Sequence, residues 1–390
     1  MAFLNEIAGE QAQLVSLRRY LHAHPELPKM EFGTAAFIEE QLKEAGIFYK
    51  RVGETGVYGE IKGDMGDSPI IVLRADIDAL PILQENEAEY CSKNAGVMHA
   101  CGHDMHTACL LHAAKLLKRH QGEFSGTVRL FFQQAEEVGY GANIFLQDGL
   151  LEGAEHVFGI HSAPDLPVGK VGVKEGPNNA SVDCFKVHIH GKAAHVSTPH
   201  LGADALFVAA QTVVALQAIV TRLTSPIDSV IIGVGRMEAG TAYNIVAEDA
   251  FLEGTTRLFT TELRKDINAR VEAAIKATAA LYGAVAEVEW IDYAPPLVND
   301  AAVCVEVGAL VQDLFGKKAL VTDRALSCGG DDFGRFLLEV PGVYAYVGTA
   351  SDDVAGSHGP AHNSRFDIDE KALPIGAALY ADCAWMWLKH

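Results

Sequence analysis

The stretch from Met98 to Ala108, MHACGHDMHTA, places three histidines, one cysteine and one aspartate within eleven positions. Thiolate and imidazole are good ligands for divalent transition metals, and Gly102 lets the backbone turn tightly enough for Cys101 and His103 to face one centre. A buried structural cysteine beside a capping loop is the alternative for Cys101 alone, but the surrounding histidines favour ligands. Asp104 is the expected N-cap of the following helix, whose N-terminus should lower the pKa of the thiol.

Two adjacent carboxylates, Glu136 and Glu137, follow the apolar run TVRLFF. Neighbouring carboxylates repel each other unless something compensates, and a metal cation would do so. One of them could then bind the cation while the other acts as general base. A solvated pair of loop charges is the alternative, and it is the common fate of an isolated EE.

Four further histidines could bind a metal or a substrate, but the sequence around each of them is less specific. His161 ends an apolar strand, where a core histidine with satisfied hydrogen bonds is the alternative. Late in the chain, either His362 or His358 could be a metal ligand. His195, in GKAAHVSTPH, follows a strand in another part of the chain, and an ordinary loop histidine is its alternative.

Apolar strand candidates alternate with helical patterns in the first half of the chain, at Ile70–Leu73, Thr127–Phe132 and His156–Ile160. This alternation predicts an α/β domain with a mainly parallel sheet flanked by helices. The three strands run into RADIDALP, QQAEE and HSAPDLP. Because ligands bind at the carboxyl ends of parallel strands, these polar clusters and ACGHD predict one site.

The order of elements changes after residue 180. Strand, helix, strand, strand, helix and strand are expected at Val182–His190, Ala203–Leu223, Ser229–Met237, Ala247–Phe259, Thr261–Tyr282 and Ala284–Tyr293. This order is that of a ferredoxin-like α+β unit. We therefore predict an inserted domain at 180–294, within a catalytic domain made of 1–179 and 295–390. The apolar stretch Ala205–Val220 is expected to be a buried helix, since it is too short and too polar to span a membrane.

Composition limits the possible partners. The formal net charge of −20 argues against nucleic acid and against anionic membrane surfaces. Seven scattered cysteines and a start without a signal-peptide pattern favour a reducing compartment, so the cytoplasm is expected.

Taken together, these segments resemble a known family, the dinuclear metal-dependent aminoacylases and carboxypeptidases, in the branch of hippurate hydrolases and indoleacetyl-amino-acid hydrolases. The matching motifs span nearly the whole chain and include LHAHPEL, RADIDALPI, MHACGHDMHTA, QQAEE, GIHSAPDLPVG, GKAAHVSTPH, GTAYNIV, GGDDFGRF and HNSRFDIDE. The resemblance implies two divalent cations per subunit, Mn, Zn, Ni or Co. It implies Glu136 as general base and the metal ligands Cys101, His103, Glu137, His161 and His362.

The resemblance also implies roles for residues around the metals. Asp76 would support the metal site, His195 would stabilise the oxyanion, often across a dimer, and Asn244 would hold the substrate. His99 and His106 are expected to support the loop around Cys101. The inserted domain would then serve as a lid and as the surface of a homodimer.

The implied reaction is hydrolysis of the amide bond of N-acyl or N-aroyl amino acids. A metallo-dipeptidase or carboxypeptidase on the same scaffold is the closest alternative, and a non-catalytic metal-binding protein is a more distant one. The chain departs from the branch at Gln134, Ala163 and Asn178–Ser181. These departures remove no ligand but leave the acyl group and the amino acid open.

Overall fold

The computed structural model describes residues 3–388, which form two compact units. The first unit contains the described chain up to Gly176, then Asn299–Ala325 and the chain from Asp332 onward. The second unit contains Pro177–Val298 and also Leu326–Asp331, a short segment that the sequence analysis had placed in the first domain.

Helices and strands are numbered along the chain. The helices are α1 Leu4–Gly9, α2 Gln11–Ala23, α3 Phe32–Glu44, α4 His103–Arg119, α5 Gly141–Gln147, α6 Ala205–Ala218, α7 Thr261–Leu281, α8 Ala301–Phe315, α9 Gly334–Leu337 and α10 Leu373–Leu388. The strands are β1 Phe48–Val52, β2 Gly56–Lys62, β3 Ile70–Asp76, β4 Thr127–Gln133, β5 His156–Pro167, β6 Val171–Gly172, β7 Gly176–Asn179, β8 Val182–His190, β9 Ala194–His195, β10 Val230–Ala239, β11 Ile245–Val246, β12 Asp249–Leu258, β13 Val285–Ala294, β14 Leu297–Asn299, β15 Leu320–Val321 and β16 Gly342–Ala350.

An eight-stranded sheet forms the centre of the first unit, in the order β1-β2-β4-β3-β5-β16-β6-β15. Its four central strands β4, β3, β5 and β16 are parallel to one another. Strands buried on both faces are rich in apolar residues, as in β3 and β16. Helices α4 and α10 lie in the same hydrophobic core as these strands. The prediction of a mainly parallel sheet flanked by helices is confirmed.

The second unit contains an antiparallel sheet in the order β10-β12-β8-β13. Strand β8 alternates between buried Phe185, Val187 and Ile189 and more exposed residues, as a sheet covered on one face requires. Helices α6 and α7 share the hydrophobic core on the buried face. The predicted ferredoxin-like α+β unit is confirmed.

Helix α6 differs from the expectation of a buried helix. Its inner face packs on the sheet, but Leu206, Phe207 and Val214 are 45%, 44% and 66% exposed. The expectation was wrong because this unit covers only one face of α6. Among the described residues, Ala205–Leu223 is the one helical segment whose length and composition would suffice to cross a membrane, and 28% of it is buried in the protein.

Candidate metal centre

The carboxyl ends of the central strands and the loop before α4 bring the predicted ligands together in the first unit. His161 lies on β5, and Glu136 and Glu137 follow β4. Cys101 and His103 come from the loop and the first turn of α4. The sheet therefore converts distant stretches of sequence into one cluster, as the parallel topology predicted.

One group of donors contains Cys101, His103 and His161, which offer one ligand atom each within 4.8 Å of one another. The Cys101 Sγ atom lies 3.5 Å from His161 Nε2. Thiolate and imidazole at this separation suit a transition metal such as zinc.

A second group contains Cys101, Glu137 and His362, again with one ligand atom each within 4.8 Å of one another. Glu137 Oε1 lies 3.3 Å from His362 Nε2 and 3.9 Å from His103 Nε2. Cys101 belongs to both groups, so the five donors form one continuous cluster.

The hydrogen bonds of the imidazoles fit metal ligation. The Nδ1 atoms of His103 and His161 face the carbonyl oxygens of Asp78 and Ser162, at 2.9 and 2.7 Å. A carbonyl accepts only, so each Nδ1 carries a proton, and each Nε2 presents a lone pair when the ring is neutral. His103 Nε2 is buried without a hydrogen-bond partner, which is the arrangement that a bound cation would satisfy.

The charges around the site favour exchange of protons for cations. Burial lowers the pKa of His161 far below its usual value, so that its imidazole is neutral. Hydrogen bonds to Cys101 and Glu137 raise the pKa of His362 to about 10. Because a ligating imidazole must be neutral, cation binding would release this proton.

The expectation that the helix N-terminus lowers the pKa of Cys101 was wrong. Burial raises the pKa of this thiol, and the nearby Glu137 carboxylate raises it further. Interactions with His103 and His362 lower the pKa by less than burial and Glu137 raise it. A thiolate at this position therefore needs a cation beside it.

Asp78, which is not among the predicted site residues, binds the loop that carries the two glutamates. Its Oδ1 accepts the backbone N–H of Glu136 at 3.1 Å, and its Oδ2 accepts that of Glu137 at 3.0 Å. Ala135, just before them, has φ of +53°, which costs a residue with a Cβ atom about 1–2 kcal/mol. Asp78 lies in the quoted motif RADIDALP, so its place after β3 was the available signal.

Glu136 is also part of this cluster. Its Oε2 atom lies 3.9 Å from His103 Nε2, and the residue is 9% exposed. The side chains of His103, Glu136 and Glu137 offer ligand atoms within 4.8 Å of one another. Glu136 therefore lies among the same donor side chains.

Asp76 and His106 lie next to the donors and are hydrogen-bonded to each other. The Ser162 backbone N–H donates to His106 Nε2 at 2.8 Å, so His106 Nδ1 carries the proton that it donates to Asp76 Oδ1 at 2.6 Å. Both ring nitrogens of His106 are thus used, which leaves it no free lone pair. Asp76 Oδ2 also accepts from Arg74 at 2.5 Å and lies 3.8 Å from His103 Nε2.

The structure also places three other residues that were considered in the sequence: His358, His99 and Asp104. His358 is 60% exposed beside Asp352 and belongs to none of the donor groups, whereas His362 does. His99 is buried without a hydrogen-bond partner on either ring nitrogen, so it contributes packing to the loop. Asp104 is not the N-cap of α4. That position is Gly102, and the Asp104 carboxylate is hydrogen-bonded to a buried arginine instead.

The departures from the branch pattern are buried. Gln134 directs its side chain at the β1–β2 turn, where a Cβ atom on Gly56 would lie 2.0 Å from Gln134 Oε1. Gln134 therefore occupies the space that a side chain at position 56 would need. Ala163, on β5, is completely buried, and Asn178–Ser181 lie buried in the second unit.

The second unit brings His195 and Asn244 next to each other. Strand β11 pairs with β9 so that Ile245 faces His195, and the Asn244 carbonyl accepts the backbone N–H of Val196 at 3.1 Å. The backbone N–H of Ser197 donates to His195 Nδ1 at 3.1 Å. The neutral ring therefore carries its proton on Nε2, as a hydrogen-bond donor.

Comparisons with known proteins extend over both units. The sequence matches the pattern of peptidase family M20/M25/M40 over residues 72–385. It is 44% identical to N-acetyl-L-cysteine deacetylase of Bacillus subtilis, over 93% of this chain and 85% of that protein. It is 37% identical to an IAA-amino acid hydrolase of Arabidopsis thaliana, over 96% of this chain and 86% of that protein.

A solved structure matches over nearly the full length. It is a dinuclear metal-binding peptidase of the M20 family from Bacillus subtilis, with a TM-score of 0.84 and 36% identity. The match covers 98% of this chain and 99% of that one.

Proposed function

The chain belongs to peptidase family M20/M25/M40, and we propose that it is a metal-dependent amidohydrolase that releases a carboxylic acid and a free amino acid from N-acyl amino acids. The two relatives described above support this substrate class, since both names describe hydrolysis at the nitrogen of an amino acid. The observation that carries the proposal is the convergence of Glu136 with two donor groups that share Cys101.

Five side chains would hold two divalent cations: Cys101, His103, Glu137, His161 and His362. The cations would act as Lewis acids toward the amide carbonyl and lower the pKa of water at the site. Sulfur and nitrogen donors suit Mn, Zn, Ni and Co in different degrees, and we propose one of these metals.

Glu136 is the proposed general base and acid. Glu137 groups with Cys101 and His362, whereas Glu136 lies 3.9 Å from His103 Nε2, and we assign proton transfer to Glu136. It takes a proton from the attacking water and then delivers it to the leaving nitrogen, which becomes the free amine. The hydrogen bonds from the loop to Asp78 fix the backbone from which its side chain extends.

His195 and Asn244 are proposed to act on the substrate. With its proton on Nε2, His195 can donate to the oxygen that gains negative charge when water adds to the carbonyl. Asn244, beside it, offers an amide that can bind the carboxylate or the carbonyl of the substrate.

We also propose that the chain forms a homodimer through the second unit. Strand β10 is at the edge of its sheet, and the exposed side of α6 is apolar. An edge strand with unpaired backbone groups and an uncovered apolar helix face together favour a second copy of the same surface. We expect the enzyme in the cytoplasm, since all seven cysteines, which lie within the described residues, are free.

The direct test is amino-acid release from a panel of N-acyl amino acids and dipeptides. The protein is first treated with a chelator, and each divalent metal is then added back. Release from the N-acyl compounds that depends on added metal, with dipeptides left intact, supports the proposal. Preferential cleavage of dipeptides would instead assign a dipeptidase, as the word peptidase in the name of the structural relative suggests.

A further inference from the structure

Three consecutive backbone amides in the loop after β4 donate to buried carboxylates. The N–H groups of Glu136 and Glu137 bind the two oxygens of Asp78, as described above. The N–H group of Ala135 binds a different carboxylate, Oε1 of Glu31, at 2.9 Å. Glu31 is 104 residues away in sequence and plays no part in the proposed mechanism.

Glu31 is buried and has a second hydrogen-bond partner. It is completely buried just before α3, and its other oxygen accepts the hydroxyl of Thr55 at 2.6 Å. Thr55 lies in the turn between β1 and β2 and is also buried. The carboxylate therefore connects the residue before Glu136 to the start of α3, and it also binds the β1–β2 turn.

Ala135, whose amide binds Glu31, has an unfavourable backbone conformation. Ala135 adopts φ of +53°, a left-handed conformation that a residue with a Cβ atom adopts only when its surroundings impose it. Its backbone conformation sets the direction in which the chain, and so the side chains of Glu136 and Glu137, leave the loop. A change of direction here would move the proposed base away from His103.

We propose that Glu31 is a positioning residue for Glu136, which acts by placing one acceptor oxygen at the Ala135 amide. The inference rests on the proposed function, in which Glu136 transfers the proton. We attribute this role to the acceptor oxygen of Glu31 and not to its negative charge. A second buried carboxylate, Asp78, already binds the next two amides, and two like charges in this loop repel each other.

Two conservative variants separate the oxygen from the charge. Glu31→Gln keeps an acceptor oxygen at the same distance from the backbone but removes the charge. Glu31→Asp keeps the charge but withdraws the oxygens by one methylene group, and Asp is a favourable residue before a helix. Thr55→Val is the matched control, since it removes the other partner of Glu31 and leaves the bond to Ala135.

The expected order follows from the geometry. We expect Glu31→Asp to lower kcat about 10- to 100-fold with KM nearly unchanged, as for a misplaced catalytic group. Glu31→Gln and Thr55→Val should keep kcat within about threefold of the unmodified protein. If Asp retains full kcat, or if Gln loses as much as Asp, the proposal is overturned.

Hydrogen–deuterium exchange of the peptide containing residues 134–137 gives a readout that does not depend on turnover. Protection should fall in Glu31→Asp and remain in Glu31→Gln, at matched folded-state stability. Equal protection in both variants would contradict the proposal. If the unmodified protein hydrolyses no substrate, the proposed function fails, but the exchange result still decides whether Glu31 orders the loop.

Discussion

Arg18 and Asp104 form an ion pair in the interior of the first unit, with Arg18 Nε 2.8 Å from Asp104 Oδ2 and each side chain 1% exposed. Asp104 directly follows the proposed ligand His103. Arg18 also donates to Asp367 at 2.7 Å, in the segment that follows His362. One buried guanidinium thus joins the two segments that carry these proposed ligands.

We predict that Arg18→Met destabilises the protein by about 3–5 kcal/mol, because it removes the guanidinium that two buried carboxylates share. The matched control is Arg19→Met, which removes a 41% exposed arginine paired with Glu370 and should cost about 0–1 kcal/mol. Denaturant unfolding of both variants measures the difference. Equal effects would show that burial of the pair does not matter.

A pH-dependent change in stability is expected from Asp382. This carboxyl is 3% exposed, and burial raises its pKa from 3.8 to about 6, although the Phe3 backbone N–H donates to it. The folded state therefore holds the proton more tightly than the unfolded state. The stabilisation is complete below about pH 4 and is lost as the pH rises through about 6.

Asp382→Asn should remove this dependence, since the amide does not titrate. Relative to the variant, the unmodified protein should lose about 3 kcal/mol or less of unfolding free energy between pH 4 and pH 7.5. Urea unfolding at the two pH values tests this directly. Parallel changes in the two proteins would contradict the assignment to Asp382.

The proposed dimer predicts that a charge on the open face of α6 separates the subunits. Val214→Glu should shift the sedimentation of the protein from dimer to monomer, because a carboxylate in an apolar interface loses its hydration. Val305→Glu, at a 70% exposed position on α8 of the first unit, is the control and should leave the dimer intact. A Val214→Glu protein that remains dimeric would place the interface elsewhere.

His195→Ala tests the proposed oxyanion donor. We expect kcat to fall about 10²- to 10³-fold, with metal content unchanged, as for the loss of one such donor. His200→Ala alters a nearby histidine of the second unit and should leave kcat unaffected. An equal loss in both variants would point to general damage of this unit.

Much of the architecture followed from local patterns. The runs IIVL and TVRLFF predicted β3 and β4, and the alternation in VDCFKVHIH predicted β8 with the bounds that the structure shows. Metal-capable side chains were recognisable by type and by position after these strands. Such features depend on spacing within a few residues, which the sequence displays directly.

The contacts that order the site were not predictable in the same way. Glu31 reaches Ala135 across 104 residues, and Arg18 reaches Asp104 across 86. Both side chains lie in stretches that read as ordinary polar positions of a helix or a turn. The raised pKa of Cys101 likewise depends on burial and on Glu137, which only the folded chain brings together.

In the proposed mechanism, Glu136 transfers the proton within a metal centre built by other residues. Glu136→Gln tests it most directly, through amine release from an N-acyl amino acid together with the metal content of the same sample. We predict loss of turnover by about 10²- to 10⁴-fold with the full metal content retained. Near-normal amine release by the metal-loaded variant would contradict this role of Glu136.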